Sequence, residues 1–452
     1  MFKHKSKSPK ESFSFLESKK LSANTIISEN IKINLDTHKT LRNNNIFALA
    51  GNNNHFTDAL IKPNLLQANA SYFLLVPKDK IYDKYAEFLL KEGYDIISID
   101  FDNPNMIMRF NPLVHIVDTA NVVNLADCLF QNTKPSYDLS KFKGITPETI
   151  ERRLFILMCL YASRHASVTN CNFQYIISIL NDKNFFSKLN NLIKAVETTH
   201  PDALISEIYE EFLKDCKAIP QKKHLIVESL VNRLSIFNED NIKQITGSGS
   251  IDIKNMYENK TAVFCFVPEK YEDKRKYSVI YAMLFECIKN ELYSCYDEII
   301  NGKRLINERI PIRCFLTNTE YFSILDFSKT MATCRIPGLS ICVAVEHFPL
   351  FKEKYPYWET IIGNCDTHVF YNQKHQKSVD FAKLFLSGGF FLNNLSLERT
   401  KSTRNYDDDY VSLVSATAQP TNYEDCIVKI RGLNNPILDT KYNYKQHPNN
   451  FE

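Results

Sequence analysis

The chain has 452 residues, 44% hydrophobic and 24% charged, and a formal net charge of +3. It is too long for one comfortable hydrophobic core, so two domains, or one domain with a large insertion, are expected. So small a charge points by itself to neither nucleic acid nor a membrane as partner, and no apolar run approaches the ~20 residues of a spanning helix.

The twelve Cys occur singly, with no C-x-x-C pair, which argues against a zinc site and against a disulfide framework. Several lie inside apolar runs such as residues 263–266, where a thiol behaves as a small hydrophobe. A reducing cytoplasm is the expected location.

In chain order, residues 1–30 are rich in Ser and Lys and are expected to be flexible; "MFKHKSKSPKESFSF" lacks the apolar core of a signal peptide. Strand-like runs follow at 46–49, 72–76 and 95–99. Between the last two, Ile81, Tyr85, Phe88 and Leu89 recur at helical spacing, and Gly93 closes the helix. That is β-α-β syntax and predicts a parallel sheet. Residues 116–245 read as all-helical, one helix opening on Thr146 as N-cap with Pro147 as first helical residue. Strands return at 261–267, 312–316, 340–345 and 368–371, with a last one at 426–430; the polar segment 397–422 reads as a mobile loop. The expected organisation is an α/β domain of residues 31–115 and 246–452, split by an all-helical domain of residues 116–245.

The first strand runs into "AGNNNHFT" (50–57) and then a helix pattern, the layout of a phosphate-binding loop G-x-x-x-x-G-K-[ST]. On that pattern Ala50 stands at the first Gly, His55 at the second, Phe56 at the Lys and Thr57 at the hydroxyl. Gly51 and Thr57 are the residues left to hold a nucleotide. Phe56 supplies no charge, His55 adds a Cβ where close approach favours Gly, and Asp58 puts negative charge where an anion should dock.

Five strings carry a resemblance in collinear order: "NLDTHKTLRNNNIFALAG", "IKPNLLQANASYFLLVPKDKIYDKYAEFLLKEGYDI", "RFNPL", "YWETIIGNCDTHVFY" and "IRGLNNPILDTKYNYKQHP". Over roughly residues 31–450 the chain resembles the TraG/TraD family of type IV secretion coupling proteins, in its Gram-positive conjugative-element branch. The resemblance implies a P-loop NTPase-like fold of RecA/FtsK type: a parallel-rich α/β sheet with helices on both faces, interrupted by the helical insertion. It also implies ATP with Mg²⁺ as cofactor. The motifs that would serve them are degenerate. The family's Asp-Glu strand end is Thr317-Asn318 in "IPIRCFLTNTEYF", its Gln sensor is Glu346 in "CVAVEHF", and Val76 replaces a further Asp. Thr317 and Asn318 are neither strong Mg²⁺ ligands nor general bases.

The resemblance thus implies a coupling-protein-like component of a conjugative DNA-transfer system, and the departures imply that it is hydrolysis-deficient, accessory or regulatory, with no bound ATP/Mg²⁺ and no metal site. Two other readings stay open: an active DNA-translocating ATPase using Glu320 as a substitute carboxylate, and a substrate-recruiting protein-binding module acting through the insertion. Arg335, in "TCRIPGLSI", matches an Arg of the family and is either a finger completing a neighbouring subunit's site or an ordinary surface residue. The implied partners are the conjugation machinery, the relaxase–DNA complex, DNA itself, and a homo- or hetero-oligomeric ring with an active paralogue. The expected location is cytoplasmic, peripheral at the inner face of the membrane, any membrane contact being indirect.

Beside these stand plainer readings. Thr57 starts a helix; His55 and His347 have structural or solvent roles, lacking partners at metal-ligand spacing; Lys222-Lys223 and the run 270–276 are solvated faces; Trp358 packs in the core.

Overall fold

The computed structural model describes residues 16–77, 81–101, 109–142, 146–249, 253–268, 270–305, 309–387, 423–433 and 435–451. Its strands in chain order are β1 (Asn24–Ile26), β2 (Lys32–Asn34), β3 (Ile46–Leu49), β4 (Ser71–Pro77), β5 (Asp95–Ile99), β6 (Thr261–Val267), β7 (Ile312–Thr317), β8 (Leu339–Val345), β9 (Thr367–Phe370), β10 (Asp425–Ile430) and β11 (Ile437–Thr440). β1 and β2 form a two-stranded sheet; the rest form a nine-stranded sheet ordered β11-β10-β9-β3-β8-β7-β4-β6-β5. From β9 to β5 every neighbouring pair is parallel, while β10 and β11 add on antiparallel. β3 is an interior strand and shares the sheet with β7, as the sequence implies.

The parallel strands are buried on both faces, and alternation sends successive residues to opposite cores. Phe47, Leu49, Phe73, Leu75, Val263 and Cys265 belong to one hydrophobic cluster; Ile46, Ala48, Tyr72, Leu74, Ala262 and Phe264 belong to the other. The second face is covered by the helical segments Asn53–Phe56, Thr57–Ile61 and Lys62–Leu66 and by helix Ile81–Lys91, which ends before Gly93 at a φ of +81°.

The first face carries the insertion. Its helices run from Thr119–Asn132 to Asp240–Thr246, and Thr146 and Pro147 stand at the N-cap and first position of Pro147–Arg164. The insertion is helical but not self-contained: Leu125, Leu154, Phe155 and Leu230 share a single cluster with Phe47 and Phe73 of the sheet. Within it, Glu151 Oε1 accepts from Arg233 Nε at 2.9 Å, both side chains fully buried, and the Arg233 guanidinium also donates to Thr133 O and Oγ1.

Part of the N-terminal expectation needs correcting. Residues 16–30 are packed: Leu16 is buried, and β1 pairs with β2 while Ile26 N–H donates to Asn64 Oδ1 at 2.9 Å. Residues 1–15 lie outside the described residues, as does the expected loop 397–422. Trp358 packs in the core against Phe348 and Phe381.

Candidate functional site

Parallel register decides what meets at the carboxyl edge of the sheet. Leu49 pairs with Val345, and Thr317 with Ala344. The loop after β3, residues 318–320 after β7 and Glu346-His347 after β8 therefore converge on one edge, the side on which open α/β sheets bind ligands. β8 lies between the other two strands.

The loop after β3 is closed by its own chain. Gly51 N–H donates to Asn372 O at 2.8 Å, and a Cβ on Gly51 would come within 3.0 Å of Asn372 O and Lys374 N. So the segment after β9 lies directly against the glycine, and that N–H is already engaged. The helix begins earlier than expected: Asn52 is its N-cap, its Oδ1 accepting from His55 N–H at 3.3 Å. Thr57 does not start a helix; it is buried where the α-helical turn passes into the π-helical turn Thr57–Ile61. Asp58 is tied to Lys62 at 2.6 Å.

Phe56 is fully buried against Tyr371 in the second-face cluster, where an ammonium would have no partner. His55 is buried too, its ring stacked at 5.7 Å and 12° on Tyr371 and 4.7 Å from Tyr423. Its Nδ1 lies 3.0 Å from Lys441 Nζ, just beyond β11, and the ammonium sits 3.9 Å over the Tyr423 ring. Burial, and then the charges of Lys441 and Lys374, push the imidazole down to about 4. A neutral ring accepts from the ammonium, so a lysine does come to the loop, from the far end of the chain. Sequence reasoning missed it because no local pattern marks it.

The end of β7 is equally committed. Thr317 Oγ1 donates to Leu75 O at 2.9 Å, and Asn318, at a φ of +59°, donates from Nδ2 to Thr317 Oγ1 at 2.9 Å. Asn318 Oδ1 accepts from Lys274 Nζ at 2.7 Å, and that ammonium lies 5.0 Å over the Tyr321 ring. Lys274 is buried, which corrects the expectation that the whole run 270–276 is a solvated face. The end of β7 thus holds an amide bonded to a buried cation; among the described residues no group of three His, Cys, Asp or Glu could hold a metal ion.

Glu320 is 2% exposed. Its Oε1 accepts from Glu346 N–H at 3.0 Å and His347 N–H at 3.2 Å, and its Oε2 has no partner. Burial, outweighing the bonds it accepts, and the nearby Glu346 charge raise it to about 7. A carboxyl poised there suits proton transfer, but this one ties β7 to β8 with one oxygen and encloses the other. Glu346 and His347 are half-buried, the His347 ring edge-on to His375 at 5.9 Å. Arg335 is exposed in the turn before β8, at the opposite end of the strands, so it cannot reach this chain's own loop.

Strand order, parallel direction and the strand–loop–helix after β3 define a P-loop NTPase-like α/β fold. Residues 4–302 match the family model for type IV secretory system conjugative DNA transfer, and the chain belongs to that family. Residues 318–385 match a second model, the TraM recognition site of TraD and TraG. Among solved structures, the unbound bacterial conjugative coupling protein TrwBdeltaN70 superposes with a TM-score of 0.63 at 11% identity, over 97% of this chain and 93% of that one. The plasmid coupling protein TrwB in complex with ADP and Mg²⁺ gives 0.60 at 10% identity, over 98% and 94%. VirB4 of Thermoanaerobacter pseudethanolicus gives 0.52 at 11% identity, over 93% and 96%. At such identities the likeness is one of fold. No curated protein matches the sequence. Among the described residues no helix is long and apolar enough to cross a membrane.

Proposed function

We propose that this chain serves conjugative DNA transfer as an accessory or regulatory coupling-protein subunit that does not itself hydrolyse ATP. The observation that carries this reading is the Lys274–Asn318 bond, which fixes a buried ammonium at the strand end where the chemistry needs Mg²⁺ ligands. The residues present do not fit a Mg²⁺–nucleotide. Phe56 is locked in the core, Gly51 N–H is engaged by Asn372, and His55 is occupied by Lys441.

Its partners on this reading are the conjugation machinery and the relaxase–DNA complex, and its place is the cytoplasmic face of the membrane, reached through those partners. The exposed Arg335 gives it one group to offer a neighbouring subunit in a mixed ring, where a finger supplied in trans is worth roughly 10³–10⁵ in turnover. The test is Mg²⁺-dependent ATPase and ATP calorimetry on the purified chain, expected to show neither turnover above background nor tight binding. Turnover abolished by Glu320→Ala would establish the displaced-site enzyme instead. For the ring, an active paralogue titrated with this chain should turn over faster, and Arg335→Ala should remove the gain. Equal rates with both forms, in chains that co-purify, would leave a scaffolding role.

A further inference from the structure

A cavity opens on the same edge of the sheet, and none of residues 50–57 lines it. It measures about 440 Å³ and is walled by Gln131 of the insertion, Tyr271 and Arg275 after β6, Glu320 and Ser323 after β7, and Lys354 after β8. Glu320 and Glu353 line it as well, yet among the described residues no lining donor is paired with either carboxyl. Lys354, the Gln131 amide and the Ser323 hydroxyl have no hydrogen-bond or ion-pair partner among the described residues, and Arg275 meets Tyr271 of its own helix, 3.5 Å from Oη and with its guanidinium 5.9 Å from the ring centroid.

Burial holds the half-buried Lys354 below its usual range, the charges of Arg275 and Lys134 add to this, and Glu353 on the rim pulls the other way. The other acidic group, Glu320, keeps an unpartnered oxygen while 2% exposed. Arg275 is exposed and Lys354 half-buried; their like charges repel, and an anion between them offsets that repulsion. Lys354 is the last residue of its helix, and Arg275 belongs to a single short one.

We propose that this cavity binds a phosphate ester. Lys354 and Arg275 pair with the phosphate oxygens, Gln131 and Ser323 donate to them, and the exposed Tyr271 ring offers a face on which a base stacks. The volume lies within the ~300–1,000 Å³ of small-ligand sites. A free nucleotide and one unit of a single strand present this same chemistry. The inference holds whether or not the loop after β3 hydrolyses ATP, since the two share no residue of 50–57.

The test uses the full chain with three probes: inorganic phosphate and AMP by calorimetry, and a fluorescein-labelled oligothymidylate by anisotropy at low and moderate salt. Arg275→Ala/Lys354→Ala should weaken every probe that binds by tenfold or more and flatten the salt dependence of oligonucleotide binding by about one to two charges. Tyr271→Ala should weaken AMP and oligonucleotide but not phosphate, and Lys214→Ala, on an exposed position of the insertion, should change nothing. AMP binding without oligonucleotide binding assigns the free nucleotide, and the reverse assigns the single strand; both support the site. The proposal is overturned if no probe binds, or if the double variant, folded by circular dichroism and melting, binds as the wild type does.

Discussion

Lys441 Nζ lies 3.0 Å from His55 Nδ1, joining residues 386 apart in the chain. The contact makes the loop after β3 part of the packing between β11 and the rest of the sheet. His55 is held neutral, with its value down near 4, and His368 and His447 are pushed down to about 4 by burial as well. A lowered histidine contributes stability that is full above its unfolded value near 6.5 and lost as pH falls through about 4. The chain should therefore lose stability from pH 6.5 towards pH 4. In Lys441→Met the His55 imidazole should titrate at higher pH, read by proton–carbon NMR of its ring; a wild-type value at or above 6.5 would count against the contact.

Glu320 has the opposite sign. Its value is raised to about 7, so its contribution is full below the unfolded value near 4.5 and lost as pH rises through 7. Glu320→Gln keeps an oxygen for Glu346 N–H and His347 N–H but carries no charge to desolvate. Its melting temperature should exceed the wild type's at pH 8 and match it near pH 4.5. A pH-independent difference would show that shape, not ionisation, sets the cost.

The Glu151–Arg233 pair inside the insertion should be costly to break and cheap to replace. Both side chains are fully buried, and Tyr137 Oη also donates to Glu151 Oε2. Glu151→Ala leaves the buried guanidinium only the longer carboxylate contact to half-exposed Glu148, at 3.7 Å, and should cost about 3–5 kcal/mol in urea unfolding. The paired change Glu151→Leu/Arg233→Met should recover most of that loss. Because the insertion and the sheet share one core, the loss should appear in a single transition.

Phe56→Lys restores the motif's cation on paper and should fail twice. It removes a fully buried ring that packs on Tyr371, a loss of about 3–5 kcal/mol before the charge is counted. It also leaves Asn318 bound to Lys274, so no Mg²⁺-dependent turnover should appear in a malachite-green assay. Turnover gained by this single change would mean that the metal ligands lie elsewhere.

What the sequence by itself determined were the pieces whose signal is local. The runs that became β3, β6 and β7 are buried on both faces, so most of their positions are apolar, with Thr261, Arg313 and Thr317 as buried polar exceptions, and Gly93 marked a helix end because its φ of +81° favours glycine. Which residues stand at the loop and at the strand end, Phe56 and Thr317-Asn318, could also be read directly, since each position is fixed by spacing from its strand. β11 was not legible: Ile437–Thr440 is half-buried and exposed in alternation, an edge strand too short and too mixed to stand out. Only the tertiary structure decided strand order and what the side chains at the strand ends do. Lys274 reaches Asn318 across 44 residues and Lys441 reaches His55 across 386. A lysine's sequence neighbourhood does not show whether its ammonium is solvated or buried on an amide. That depends on which strand ends the parallel register brings to the same edge, and register is set by non-local pairing of backbone and core.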